Sequence, residues 1–285
     1  MNEFKVDDLR RLYIPAHDSH KGENGKLLII GGSVLFHAAS LWALQVASRI
    51  VDMVFYSSVP QNNALVEKEK EEFRNGIIVP RSKIDHYIGE ADCILIGPGL
   101  PRESGVEEGD DDTKELTERL FKTYPNKKWV VDGGSLQVID SELIPAHAIL
   151  TPHHKEFDLL KSRIRNNELR IRIQDSKLEK QVQIFAKEYK CIVLLKGEVD
   201  LVSNGTETVQ VSGGNAGMTK GGTGDVLAGL VSALYCKNEA FLAAKMGSFI
   251  NKKAGKSLAQ KMGIYFNASD LASEIPQVMK EVLHD

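Results

Sequence analysis

The stretch GGNAGMTKGGTGDVLAGL, residues 213–230, places six glycines ahead of a single acid, Asp225, and then turns apolar. Its second half continues as DVLAGLVSALYC (225–236), which reads as a buried helix, so the glycines form a loop that enters a helix N-terminus. Working outward, the chain alternates short β-branched runs with longer amphipathic ones. KLLIIGG (26–32), MVFYSSV (53–59), DCILIGPGL (92–100), KWVVDGGSL (128–136), HAIL (147–150) and CIVLLKG (191–197) read as strands, KWVVDGGSL running from a strand into a loop. Residues 37–51, 112–124 and 177–190 read as helices, and a helix starts after Thr151-Pro152. This rhythm predicts an α/β fold with a largely parallel central sheet and helices on both faces. Only VDLVSNGTETVQVS (199–212) breaks it: two β-rich runs flank Asn204-Gly205, which predicts a hairpin. The segments 241–262 and 267–284 read as further helices. With no internal repeat or low-complexity linker, one domain over residues 1–285 is expected.

Composition bounds the function. The chain has 285 residues, 36 Lys+Arg against 39 Asp+Glu and a net charge of -3. A nucleic-acid partner, which would favour a basic surplus, is not expected. No apolar run is long enough to span a bilayer, and the charged start MNEFKVDDLRRLYI is not a secretory signal, so no membrane partner is expected either. Cys93, Cys191 and Cys236 stand singly beside apolar residues, as buried reduced thiols do, and a cytoplasmic protein is expected.

In open parallel sheets, ligands bind beyond the carboxyl ends of the strands. Here IIGGS (29–33), IGPGL (96–100), VDGGSL (131–136), LTPHH (150–154) and LLKG (194–197) all end strands with Gly, Pro, Asp, His or Lys, and together they predict one site at one sheet edge. The 213–230 loop would add backbone N–H groups to it as an anion cradle. A carboxylate beside such a cradle repels a bound phosphate unless it acts on a hydroxyl that attacks that phosphate. Asp225 is therefore read as orienting a hydroxyl and taking its proton. The plainer alternative is an N-cap aspartate after a flexible turn, but a turn does not require six glycines. GENGK (22–26) is too short for a Walker A loop, and GGTGD does not fit GxGxxG.

GNAGMTKGGTGDVLAGL resembles the signature of the ADP/ATP-dependent NAD(P)H-hydrate (NAD(P)HX) dehydratases, a branch of the ribokinase-like superfamily. HKGENGKLLIIGGS (20–33), IGPGL, LTPHHKEFDLL (150–160) and LLKG fall in the family's order along nearly the whole chain. The resemblance implies a ribokinase-like three-layer sandwich and a repair enzyme. ATP or ADP would phosphorylate the ring hydroxyl of hydrated NADH or NADPH, phosphate would leave, and the reduced nicotinamide would return. Mg2+ is implied as cofactor, with its ligands undefined, and a homo-oligomer, a tetramer, as assembly. An epimerase domain, fused in some relatives, is expected as a separate protein or to be absent.

Residue by residue, the resemblance makes Asp225 catalytic and in contact with the hydrated substrate. Gly224 would help bind the nucleotide phosphates, and Gly221, Gly222 and Thr223 would complete the anion hole. Lys196 and Gly197 match the start of the nucleotide-binding segment. Ala38, Gly99 and His153 match substrate-pocket positions, and Asn215 would support phosphates or metal. His153 also reads as a capping or core histidine, Lys196 as a solvated strand-end lysine, and Ala38 as a helix-packing residue.

Departures from the family pattern fall at His37 and RIVD (49–52), where a glycine and a Gly-Ala-Gly run are usual; at DGGSL (132–136), where DADAL is usual; and at Val199 and Asp200, where a threonine often follows. They place the substrate pocket and the nucleotide preference in question. EEGDDD (107–112) reads as a solvated loop rather than a metal site, and the basic KSRIRNNELRIRIQDSK (161–177) as an exposed helix and turn. A small-molecule alcohol kinase of the same superfamily would use the same loop and the same Asp225; LTPHHKEFDLL and GNAGM favour the dehydratase. A regulator without activity is a third reading, against which the intact GGTGD argues.

Overall fold

A computed structural model describes residues 2–69, 76–102 and 106–284. Their strands are β1 (Asn2–Glu3), β2 (Lys26–Ile30), β3 (Met53–Ser57), β4 (Ile77–Ile78), β5 (Cys93–Ile96), β6 (Lys128–Val131), β7 (Ile149–Leu150), β8 (Ile192–Leu195), β9 (Asp200–Ser203) and β10 (Thr208–Val211). They form one sheet in the order β1-β10-β9-β8-β7-β6-β5-β2-β3-β4. From β4 across to β8 every pairing is parallel. β9 runs antiparallel to β8 and to β10. The Asn204-Gly205 hairpin is β9–β10: the Asn204 carbonyl oxygen Oδ1 accepts the Thr206 and Glu207 N–H groups, and Gly205 takes φ +85°.

The helices are α1 (His37–Ala47), α2 (Pro60–Glu69), α3 (Ile84–Glu90), α4 (Thr113–Thr123), α5 (Gly133–Val138), α6 (His154–Ser162), α7 (Asn167–Gln174), α8 (Leu178–Glu188), α9 (Thr223–Lys237), α10 (Ala240–Met262) and α11 (Ala268–His284). Alternation along the strands sorts the two cores. Leu27, Ile29, Cys93, Leu95 and Val130 face α1, α9, α10 and α11. Leu28, Ile30, Ile94, Ile96 and Val131 face the layer containing α3, α4, α6 and α8. Both faces of the central strands are buried, which is why KLLII, CILI and IVLL read as continuous apolar runs.

The structure departs from the sequence reading in places with local causes. DGGSL is the start of α5 rather than a loop, its Ser135 hydroxyl meeting Thr117 Oγ1 at 2.9 Å in the buried layer. The first long helix ends at Ala47, and Ser48–Asp52 turn back toward β3. RIVD thus precedes a strand and lies at the sheet edge opposite the strand ends, where the Asp52 carboxylate accepts the Gly22 and Asn24 N–H groups. β1 and β4 are two residues long and carry no readable period.

The five strand ends do meet at one edge. Gly32 N–H donates to Pro98 O at 2.7 Å, Gly134 N–H to Gly97 O at 3.1 Å, and Lys196 N–H to Pro152 O at 2.8 Å. Gly97 has φ +117°, and a Cβ there would lie 1.8 Å from Asp132 O. Backbone strain and overlap act together, so Gly97→Ala is expected to cost on the order of 3 kcal/mol or more. A chemical-denaturation midpoint far below wild type, with the slope unchanged, is the expected readout.

Candidate active site

The glycine loop crosses this edge. A short 3-10 turn, Ala216–Thr219, precedes it, and Gly222 at φ +95° is the N-cap of α9. Left-handed backbone suits glycine, and a side chain there would also strike Trp42, since a Cβ would come within 2.3 Å of Cζ3. Thr223 Oγ1 donates to Met218 O at 2.7 Å and Lys220 O at 2.9 Å, and Lys220 Nζ donates to Ile264 O and Phe266 O. Held this way, the loop leaves the Gly221, Gly222 and Gly224 N–H groups without a backbone acceptor among the described residues. They add to the positive end of a 15-residue helix, and an anion completes such an arrangement.

Asp225 stands in the first turn of α9, half-buried, beside a chain of charges. Lys196 Nζ donates to Asp132 Oδ1 at 2.8 Å, and the same oxygen accepts Thr151 Oγ1 at 2.8 Å. Burial pushes the Asp225 carboxyl up to about 7; the nearby Asp132 carboxylate adds to the rise and the Lys196 ammonium opposes it. Burial alone would lower Lys196, but the carboxylates of Asp132, Glu156 and Asp225 outweigh it and hold the ammonium above its ordinary value. A carboxyl poised near neutrality beside a fixed cation and a row of N–H groups suits proton transfer next to a phosphate.

A cleft of about 540 Å3 opens beside Lys196 and Gly224, next to Asp225, which is not itself among its lining residues. His153, Lys196, Gly197, Asn215, Thr223 and Gly224 line it, so six of the residues singled out in the sequence come together. Gly222 caps the adjoining helix. Gly221 is exposed, and a Cβ added there would meet nothing within 4 Å, so no protein contact demands glycine at this position. Ala38 and Gly99 are not among the cleft residues. Gly99, at φ +71°, approaches Phe36 O and Ala39 at the start of α1, while Trp42 of α1 covers Gly222. They therefore adjoin the loop from the α1 side. His153 combines two of its readings: Nδ1 accepts the Glu156 N–H in a capping box while the ring borders the cleft. The Asn215 amide holds the loop itself, accepting from Gly217 N–H and donating to Gly255 O, both at 2.9 Å.

Other residues were not signalled by any motif. Lys252 and Asn251 of α10 line the cleft, and Lys252 Nζ lies 3.1 Å from Asp200 Oδ1 while donating to Gly197 O and Glu198 O. Asp200 also accepts the Gly197 N–H and the Ser248 hydroxyl. Its charge is thus neutralised within the protein. In EEGDDD, Asp110 accepts the Val34 N–H, Asp111 pairs with Arg81 at 2.7 Å, and Asp112 caps α4, so the acids tether the loop after β2. Among the described residues no group of three or more Asp, Glu, His or Cys is placed to hold a metal ion. Among them, too, no helix is long and apolar enough to cross a membrane.

The family model for NAD(P)H-hydrate dehydratase matches residues 27–277, from β2 into α11. The chain belongs to the NAD(P)H-hydrate dehydratase family. It is 33% identical over 290 residues to the ADP-dependent (S)-NAD(P)H-hydrate dehydratase of Nitrosopumilus maritimus, covering 95% of each chain. It is 34% identical over 282 residues to the bifunctional NAD(P)H-hydrate repair enzyme of Methanocaldococcus jannaschii, covering 96% of this chain and 52% of that one. The chain therefore spans about half the length of the bifunctional relatives it matches. Its fold is similar to a ribokinase-like superfamily protein of Enterococcus faecalis (TM-score 0.80, 20% identity, 100% and 97% of the chains). The same holds for the NAD(P)H-hydrate dehydratase of Bacillus subtilis co-crystallised with ATP/Mg2+ (TM-score 0.78, 19% identity, 99% and 98% of the chains). The expected three-layer α/β fold is thereby borne out.

Proposed function

We propose that this family member is an adenine-nucleotide-dependent dehydratase that returns hydrated NADH or NADPH to NADH or NADPH. The observation that carries the reading is Asp225, with its carboxyl near neutrality, in the first turn of α9 beside unpaired loop N–H groups and Lys196. The family membership and the name of the N. maritimus relative support the substrate and the nucleotide.

The chemistry follows from the geometry. Gly221, Gly222 and Gly224 N–H groups and Lys196 hold the nucleotide's terminal phosphates, with Thr223 fixing the loop. The substrate hydroxyl lies against Asp225, entering from the side of Ala38 and Gly99, with His153 at the cleft border. Asp225 accepts the hydroxyl proton as that oxygen bonds to the terminal phosphorus and the bond to the leaving nucleotide breaks. Hydroxide, a poor leaving group, has become phosphate. The ring carbon–oxygen bond then breaks with its electron pair on phosphate, the proton on the neighbouring carbon passes to the departing phosphate, and the electron pair of that carbon–hydrogen bond restores the double bond of the reduced nicotinamide. The engaged states of Asp132, Asp200 and Glu156 fit a Mg2+ ion that arrives on the nucleotide phosphates better than one caged by protein carboxylates. When bound, Mg2+ would neutralise charge on the transferring phosphoryl group. We further propose one domain over residues 1–285, a homotetrameric assembly, a cytoplasmic location and a separate epimerase partner; family resemblance supports the assembly and the partner.

The test mixes purified protein with hydrated NADH or NADPH, Mg2+ and ATP or ADP, and follows the return of reduced-nicotinamide absorbance. Return only when nucleotide is present is the expected result, and the faster nucleotide is the natural one. A flat trace with intact nucleotide binding overturns the substrate and turns attention to alcohol phosphorylation.

A further inference from the structure

Asn251 lies on α10, is 5% exposed and lines the cleft, yet among the described residues its side-chain oxygen Oδ1 has no hydrogen-bond partner. A buried amide oxygen without a donor costs stability and is rare in native proteins. The neighbouring Lys252 does not satisfy it, because that ammonium is directed to Gly197 O, Glu198 O and Asp200.

We infer that Asn251 reads the base of the bound nucleotide and selects a 6-aminopurine over a 6-oxopurine. The assignment rests on the nucleotide-dependent reading above. With the phosphates at the glycine loop and Lys196, the rest of the cleft is left for the nucleoside. There it is lined by Ala216, Met218 and Leu227, apolar surface suited to a base. Leu227 is one turn into α9 from the phosphate-binding residues. Met218 covers α10 at Gly255, where a Cβ would come 2.3 Å from its sulfur, one turn along from Asn251. The amide thus borders the apolar end. A carboxamide presents an acceptor next to a donor, which matches the 6-amino group and N7 of adenine. Hypoxanthine and guanine present two acceptors on that edge, so Oδ1 would face another oxygen and stay unpaired.

The experiment measures calorimetric dissociation constants of ADP and IDP, with Mg2+, for the wild-type protein and for Asn251→Leu. Wild type is expected to bind ADP roughly 10- to 100-fold more tightly than IDP, the loss that one unpaired buried group produces. Asn251→Leu should weaken ADP by a similar factor, leave IDP nearly unchanged and bring the two within about threefold of each other. Equal binding of ADP and IDP to wild type overturns the assignment without any variant. So does a variant that keeps the preference, or one that weakens both nucleotides alike while lowering Tm, as a structural amide would. If wild type binds neither nucleotide, the nucleotide-dependent reading itself fails and the assignment falls with it. Binding of both with a clear preference, but no turnover of hydrated NADH, would instead leave Asn251 as the base reader of an enzyme with another substrate.

Discussion

Asp225→Asn is expected to lower kcat by about 10^3-fold or more while changing the affinity for ADP by less than about threefold. The amide is nearly isosteric and leaves the glycine N–H groups, Lys196 and the cleft in place. It removes only the group that takes the hydroxyl proton. Single-turnover rates with hydrated NADH, together with calorimetric ADP binding, separate the two effects. Turnover within tenfold of wild type would remove Asp225 from the chemistry.

The same residue sets two opposite pH trends. For catalysis the ionised form is required, so kcat/KM of wild type should rise with pH through about 7 and level off above it. For folding the sign is reversed. The carboxyl is raised in the native state from 3.8 to about 7, so the native state holds its proton more tightly than the unfolded chain does. Stability from this group is fully present below pH 3.8, declines between there and 7, and stays low above 7. The ceiling on that cost is on the order of 4 kcal/mol at high pH. Asp225→Asn should recover part of it, about 1–3 kcal/mol at pH 8 and close to none at pH 4. A variant that is inactive and yet more stable at alkaline pH would show that the site holds an unfavourable charge for the sake of its reaction.

Much of this arrangement was legible in the sequence because it is local. The glycine run before Asp225, the strand ends and the Asn204-Gly205 turn are each contained in a few consecutive residues, and each bears its own chemistry. KLLII and CILI are short and almost wholly apolar, which marks strands buried on both faces of a covered sheet. What stayed hidden depends on residues far apart in the chain. Nothing near Asp132 indicates that it holds Lys196, because the partners are 64 residues apart and meet only when β6 and β8 flank β7. DGGSL reads as a loop from its glycines, and only burial against α4 makes it helical. The RIVD departure looked like a change in the substrate pocket because sequence order places it after the α1 start. The fold instead carries it to the far edge of the sheet. Asn251 lies in a helix whose sequence, GSFINKKAGK, shows an amphipathic pattern and no motif; its unpaired oxygen is visible only with its neighbours in place.

Lys252→Met should destabilise the protein by about 3–5 kcal/mol, the expected result of leaving a buried carboxylate without its cation. Asp200 and Lys252 are each only 4% exposed, 3.1 Å apart across 52 residues of sequence, and neither can turn to water. Met fills most of the lysine stem's volume, so the loss is electrostatic rather than a cavity. Asp200→Asn in the same chain should return a large part of that stability, because the amide oxygen still accepts from Gly197 N–H, the amide nitrogen can donate to Ser248 Oγ in place of the carboxylate oxygen that accepted from it, and the side chain carries no charge. Urea midpoints of the two single variants and the double variant give the coupling. Strictly additive losses would mean that the pair does not act as a pair. The double variant also isolates a functional effect. Lys252 Nζ straps the Gly197 and Glu198 carbonyls to α10, and these residues form one wall of the cleft beside Lys196. With the strap gone and stability largely restored, KM for the nucleotide should rise by roughly tenfold while kcat changes little, since ground state and transition state lose the same wall. A fall in kcat with KM unchanged would instead place Lys252 in contact with the transferring phosphate.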